Sequence, residues 1–151
     1  MQSNDITDYV QECIDNIYII LMGYKDYINC VDVGKTDDIF IPKYPYITIE
    51  FDSMQQEWKE MPNRMLLIMN FSLTYYYANL SDANCRQGLR EGLSKIASVF
   101  RENWSINSYC SELGSAVANI VPYVLAKGTD VVAGGVVSLQ CKKIINIEFS
   151  D

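Results

Sequence analysis

The residue types in this chain exclude most side-chain chemistry at neutral pH. The 151 residues include no histidine, which removes the usual general base, the Ser-His and Cys-His nucleophile pairs, and most zinc and iron sites. A serine or cysteine nucleophile would need Lys, Asp or Glu as its base, and neither a G-x-S-x-G nor an S-x-x-K frame is present. The composition therefore favours a protein that is not an enzyme.

Two carboxylates, Glu57 and Glu60, flank Trp58 and offer the one arrangement that suggests catalysis. Paired carboxylates beside an aromatic ring occur in glycoside hydrolases, but that chemistry depends on their separation in space, which sequence does not fix. Charged loops beside a tryptophan are also common. If the chain were an enzyme, these carboxylates would be its most plausible catalytic groups.

Possible ligand-binding loops match their motifs poorly. The tripeptide 34–36, Gly-Lys-Thr, resembles the end of a phosphate-binding loop, but Asn29 stands where the first glycine belongs. The acidic stretch 32–38 does not fit a calcium-binding EF-hand, because Asp37 replaces the turn glycine and Lys43 replaces the bidentate glutamate. We therefore expect no cofactor and no metal ion.

Charge and cysteine content indicate a cytoplasmic protein that does not bind nucleic acid through its general surface. The net charge is −7, and the basic residues of the second predicted helix alternate with acidic ones, as on a solvated face. No secretion signal or membrane segment is evident. The cysteines form no C-x-x-C pair and are expected to be reduced, mostly buried thiols; they are Cys13, Cys30, Cys85, Cys110 and Cys141.

Periodicity predicts two helices. Apolar residues recur at helical spacing from Ile6 to Ile28, with Ser3 or Asn4 as the N-cap. A polar loop should follow from residue 32 to about residue 45. The second helix begins at Ser81, and its glycines should permit a close approach to a sheet. Its expected buried stripe is Cys85, Leu89, Leu93, Ile96 and Phe100, with Gly88 and Gly92 on or beside it.

Alternation of apolar and polar residues predicts strands at 46–52 and 65–77, and two further β segments at 116–125 and 135–147. The second strand is too long for a core of this size to cover completely. The region 104–112 should be irregular. We therefore predict one α+β domain over residues 1–151, with a mixed or antiparallel sheet of about four strands and both helices packed on one face.

Aromatic residues suggest protein contacts. The chain has eleven tyrosines, of which three are consecutive, so their side chains must lie on both faces of a strand. Tyrosine favours strands in any case, but it is also well suited to interfaces. The predicted interface residues are Trp58, Tyr75, Tyr76, Tyr77 and Trp104.

The order of these elements resembles the tail terminator proteins of tailed bacteriophages. The likeness covers nearly the whole chain and rests on the N-terminal helix, the strand entered at Pro45, the long strand 65–77, the helix from Ser81 and the C-terminal strand pair. The irregular 104–112 segment departs from that pattern. The resemblance implies a non-enzymatic virion subunit, assembled in the host cytoplasm, that forms a ring of six copies.

Such a ring would cap the tail tube, contact tail tube protein and neck or connector proteins, and let DNA pass through an acidic lumen. Another neck or head-completion subunit would share the size and the ring logic. A cytoplasmic ligand-binding or regulatory α+β module, acting as a small dimer, is the alternative from a different class.

Overall fold

A computed structural model describes residues 6–35, 44–58, 63–79, 82–110, 114–127 and 131–146. The architecture is α+β, as predicted. In chain order the elements are α1 (Ile6–Gly23), α2 (Lys25–Ile28), β1 (Asp32–Gly34), β2 (Tyr46–Trp58), β3 (Arg64–Asn79), α3 (Asp82–Glu102), β4 (Ser115–Lys127) and β5 (Val131–Asn146).

The first predicted helix is interrupted near its C-terminal end. α1 ends at Gly23, and the backbone N–H of Tyr24 is shared between the carbonyls of Ile20 and Leu21, at 3.2 and 3.1 Å. The short helix α2 follows and ends where Asn29 adopts a left-handed conformation, with φ 65°. The prediction of one continuous helix was therefore wrong at this point. The expected N-cap residues lie outside the described residues.

Within the described residues, the sheet has five strands in the order β1-β2-β3-β5-β4. Neighbouring strands are antiparallel except β1, which is parallel to β2. β1 is one more strand than expected and lies in a stretch predicted to be a loop. Its central residue, Val33, is buried against the main core, so one β-branched side chain within a polar stretch contributes to the core. Residues 36–43 of that predicted loop lie outside the described residues.

β2 is longer than its alternation predicts because a β-bulge changes the phase of the pattern. Ile47 and Ile49 face the helices, and the pairing with β3 then shifts between Phe51 and Ser53. An extra residue in one strand reverses which side chains face the core. Met54 therefore lies on the helix-covered face again. The strand continues as far as Trp58, through a stretch where a polar connection was expected.

α3 packs closely on the sheet, and its predicted buried stripe is confirmed at every position. The ring of Tyr77 occupies the space that a Cβ at Gly88 would need, and the ring of Tyr75 does the same at Gly92. These two glycines therefore permit the close helix–sheet contact that the sequence predicted.

The main core lies between the sheet and the helices, all on one face. It joins residues of α1, α3 and the central strands. A smaller cluster of Met65, Leu67 and Ile145 continues the same face beyond it, with Tyr9 of α1 packed against that cluster. The opposite face of the sheet carries no helix among the described residues. None of the described helices combines the length and apolar character that crossing a membrane requires.

Candidate assembly surface and thiol cluster

At both edges of the sheet, a long strand has one side that is at least partly unpaired within the described part of the chain. β4 is the last strand at one end. At the other end, β1 pairs with β2 only at Tyr46, Ile47 and Thr48. Over residues 49–57, no strand among the described residues pairs with the outer side of β2. Unpaired N–H and C=O groups along an edge strand form a template for another strand.

The two edges differ in chemistry. Exposed carboxylates lie along the free part of β2, at Glu50, Asp52 and Glu57. β4 instead exposes the apolar side chains of Ile120 and Val121, the latter at 46%, and residues 115–122 carry no charge. A contact between the two edges would therefore join unlike surfaces.

β4 also contains features that restrict strand pairing. Its register with β5 shifts between Val117 and Asn119, and again between Val124 and Ala126. Pro122, between these shifts, has no backbone N–H to donate. Bulges and prolines on edge strands discourage indiscriminate pairing, so this edge suits a partner with a matching local geometry.

The two tryptophans of the predicted interface are exposed and lie toward the same end of the strands. Trp58 ends β2 and is 57% exposed. Trp104 is 51% exposed. It contacts Gly114, which lies directly before β4 and has a φ of 74°. The Gly114 carbonyl accepts a 3.1 Å hydrogen bond from the N–H of Lys142, which places Trp104 at the β4 side while Trp58 lies at the β2 side.

The three consecutive tyrosines lie at the opposite end of the strands from the two tryptophans, and they occupy different environments. Tyr75 is fully buried, so its side chain offers no surface to a partner, and burial raises its pKa. Tyr77 is half-buried and stacks on Tyr75, with ring centroids 6.3 Å apart. Tyr76 is half-buried on the helix-free face, opposite Tyr46 in the β2–β3 register. The five predicted interface residues are therefore not brought together into one patch.

A polar ladder crosses the helix-free face. Gln140 donates from Nε2 to Asn70 Oδ1 at 3.2 Å, and Asn70 donates from Nδ2 to Ser53 Oγ at 3.1 Å. Beside it, Ser72 donates to the carboxylate of Asp52. These bonds link β5, β3 and β2 and give the middle of this face a hydrophilic character. The β4 edge is therefore better suited than the middle of this face to apolar contact.

The remaining sequence candidates do not form a recognisable site where the structure describes them. Lys35 forms an ion pair with Asp15 at 3.4 Å and lies over the ring of Tyr18 at 4.5 Å, so its charge is already engaged within the chain. Glu57 is exposed on β2, and Glu60 lies outside the described residues.

The fold gathers three buried cysteines that are distant in sequence. Cys13 of α1, Cys110 of the turn after α3 and Cys141 of β5 place their Sγ atoms within 4.8 Å of one another. All five cysteines are buried thiols that form no disulfide in the structure, as predicted. Local spacing in the sequence does not reveal this cluster, because its three members are far apart along the chain. Burial of Cys13 and Cys141 follows from their periodicity, but nothing local indicates the position of Cys110.

Hydrogen bonding within the cluster shifts the pKa values of its thiols in opposite directions. Donation from Cys13 and Cys141 stabilises the thiolate of Cys110 and holds its pKa well below the ordinary value, and the charge of Lys143 acts in the same direction. Hydrogen bonding to Cys110 is also the largest cause of the raised pKa of Cys141.

The turn that carries Cys110 is held from both sides. The Tyr109 hydroxyl donates to the carbonyl of Tyr9 in α1 at 3.0 Å, and the Lys143 ammonium of β5 donates to the carbonyl of Tyr109 at 3.0 Å. Lys143 also lies 4.0 Å from the centre of the Tyr109 ring. These contacts place Cys110 between α1 and β5.

The fold defines the class of this chain as an α+β protein with a five-stranded mixed sheet and helices on one face. In comparisons with known proteins, the chain matches no protein-family model and no curated sequence.

Proposed function

We propose that this chain is a non-enzymatic structural subunit that assembles head to tail into a closed ring. The observation that carries the proposal is the pair of sheet edges to which no strand of the described chain is paired, acidic along residues 49–57 of β2 and apolar along β4. A contact between two different surfaces of identical subunits is heterologous, and such contacts generate rings when the rotation between subunits closes.

Strand direction supports this mode of contact. Directions alternate from β2 through β3 and β5 to β4. If a second copy continued the sheet with its helices on the same side, its β2 would therefore lie antiparallel to β4. Antiparallel addition of a strand at an edge is a recurring mode of recognition. It would cover Ile120 and Val121 and leave the β2 carboxylates at the rim.

In the same proposal, the ring is the tail terminator of a tailed bacteriophage. It has six copies in the virion, caps the tail tube and joins it to the neck or connector proteins. The support is the resemblance in element order together with an α+β fold that has free edges. A net charge of −7 per chain would give such a ring an acidic lumen, which would repel the DNA backbone and permit its passage without adhesion.

The proposal is tested by two substitutions of opposite charge at one β4 position, Val121. Val121→Glu places a carboxylate against the acidic β2 edge of the next copy and should reduce assembly at least about tenfold, since like charges opposed across strands are destabilising. Val121→Lys introduces a side chain of similar length and opposite charge and should assemble at least as well. Ser94→Lys, on the exposed surface of α3, is the control for added charge alone.

Assembly is measured as mass by sedimentation over a range of concentrations, with and without tail tube protein, and rings are imaged by electron microscopy. Equal assembly of the Val121 variants would contradict the edge contact. A ring that binds connector protein but no tube would favour the neck-subunit alternative. A dimer whose unfolding temperature rises with a small molecule would favour the ligand-binding module.

A further inference from the structure

We propose that Cys13, Cys110 and Cys141 form a trithiolate site for a soft d¹⁰ metal ion, and that the ion it fits is Cu(I). The three sulfur atoms come from α1, from the turn 103–110 and from β5. This site is independent of ring assembly, because all three residues are buried and none lies on a sheet edge strand.

The distances suit a single ion. Sulfur atoms within 4.8 Å of one another place an ion at their centre no more than about 2.8 Å from each, whereas metal–thiolate bonds are about 2.3 Å long. Closing the triangle by roughly half an ångström per sulfur atom would therefore give bonding contact. Side-chain rotation and small movements of the turn can supply such a change without altering the sheet.

The donor set selects the kind of ion. Thiolates favour soft ions such as Cu(I) and Zn²⁺. Structural zinc almost always takes four protein ligands, but no histidine exists in the sequence and no carboxylate joins the three thiols among the described residues. Three sulfur ligands without a fourth match the three-coordinate geometry that Cu(I) accepts.

Neighbouring groups reduce the electrostatic cost of binding. Three thiolates around Cu(I) carry a net charge of −2, and Lys143, whose ammonium donates a 3.0 Å hydrogen bond to the carbonyl of Tyr109 beside Cys110, contributes a positive charge nearby. Binding exchanges protons for the ion: the three thiol groups together release up to three protons as three S–Cu bonds form, and no atom is oxidised or reduced.

The turn that carries Cys110 has a conformation that a metal crosslink would help to hold. Ile106, Asn107 and Ser108 are consecutive residues with φ of 51°, 57° and 65°. Left-handed backbone is unfavourable for residues that carry a Cβ atom. An ion shared with α1 and β5 would stabilise the folded chain by binding the native state alone.

The test uses the full chain, purified under reducing, anaerobic conditions and titrated with Cu(I) supplied as its acetonitrile complex. We expect one tightly bound copper per chain after desalting, an ultraviolet sulfur-to-copper charge-transfer band, and three sulfur neighbours by X-ray absorption. A parallel titration with Zn²⁺ should give weaker retention. These measurements on the unaltered chain do not depend on the folding of any variant.

Variants then locate the site. Cys110→Ala and Cys110→Ser, which is closer in size to cysteine, should each weaken Cu(I) binding by more than about 100-fold. Losing a residue that only supports a metal ligand already costs up to about 100-fold, and loss of the ligand itself should cost more. Cys85→Ala, which alters a buried cysteine outside the cluster, should retain it. Absence of bound copper, a Cys110→Ala chain that binds as tightly as the wild type, or retention of Zn²⁺ without Cu(I) would each overturn the proposal.

Discussion

The hydroxyl of Tyr75 donates a 2.9 Å hydrogen bond to the backbone carbonyl of Asn29. This bond joins the central strand β3 to Asn29, the residue that ends α2. Asn29 has the left-handed conformation that directs the chain toward β1. A residue that sequence patterning placed at a protein interface is thus a central structural link between the helices and the sheet.

Tyr75→Phe should therefore lower the free energy of unfolding by about 0.5–1.5 kcal/mol, because the part-buried hydrogen bond to the Asn29 carbonyl is lost. Tyr76→Phe is the matched control on the half-buried, helix-free face, and should change the free energy of unfolding by less than about 0.5 kcal/mol. Urea unfolding measures both. Equal losses in the two variants would contradict a special role for the Tyr75 hydroxyl.

Gly92→Ala should be destabilising by about 1–3 kcal/mol, the usual cost of overpacking, because the new Cβ would overlap the ring of Tyr75. Gly23→Ala provides the contrast within another helix. A Cβ at Gly23 meets no atom within 4 Å, so its substitution should be neutral or stabilising by up to about 1 kcal/mol. Thermal unfolding of the two variants should therefore shift in opposite directions or differ clearly in size.

Stability should fall as pH rises from about 9 to about 11. Burial raises the pKa of Cys30 to about 11 from an ordinary value near 9. In this window the unfolded chain loses the thiol proton while the native chain keeps it, so the native state is progressively disfavoured, by about 1–2 kcal/mol in total. Cys30→Ala lacks this proton and should show a flatter dependence. The free energy of unfolding is measured by urea unfolding at several pH values. An equal dependence on pH in the two chains would refute the assignment.

Trp58→Ser should reduce self-assembly without destabilising the subunit. The side chain is 57% exposed, so little apolar burial is lost on substitution, and we expect the unfolding temperature to change by only a few degrees. Sedimentation of the variant at concentrations where the wild type assembles measures the effect. Trp104→Ser is the comparison at the other edge, where contact with Gly114 adds a structural cost. Unchanged oligomer mass in both variants would remove the tryptophans from the interface.

Much of the fold could be predicted from periodicity, because most elements bury one regular stripe. The stripe of α3 and the alternation of β3 are examples. The break after Gly23 and the bulge near Phe51 were missed, because each depends on how the chain packs. β1 was missed because only Val33 contributes to the core from a short polar strand.

The candidate sites were less predictable because they depend on the joining of distant segments. The thiol cluster requires Cys110 to be carried between α1 and β5 by a turn whose geometry is set by Tyr109 and Lys143. The free sheet edges likewise follow from strand order, in which β5 lies between β3 and β4. Neither arrangement has a local sequence signal.

The short strand β1 sets a limit on docking. A strand that adds to β2 from the Trp58 end can extend only to about Ile49, since β1 already occupies the preceding three positions. This stop limits how far an incoming strand could slide toward Tyr46. In the proposed ring, the smallest strand of the sheet would thus limit the offset of successive copies along the strand direction.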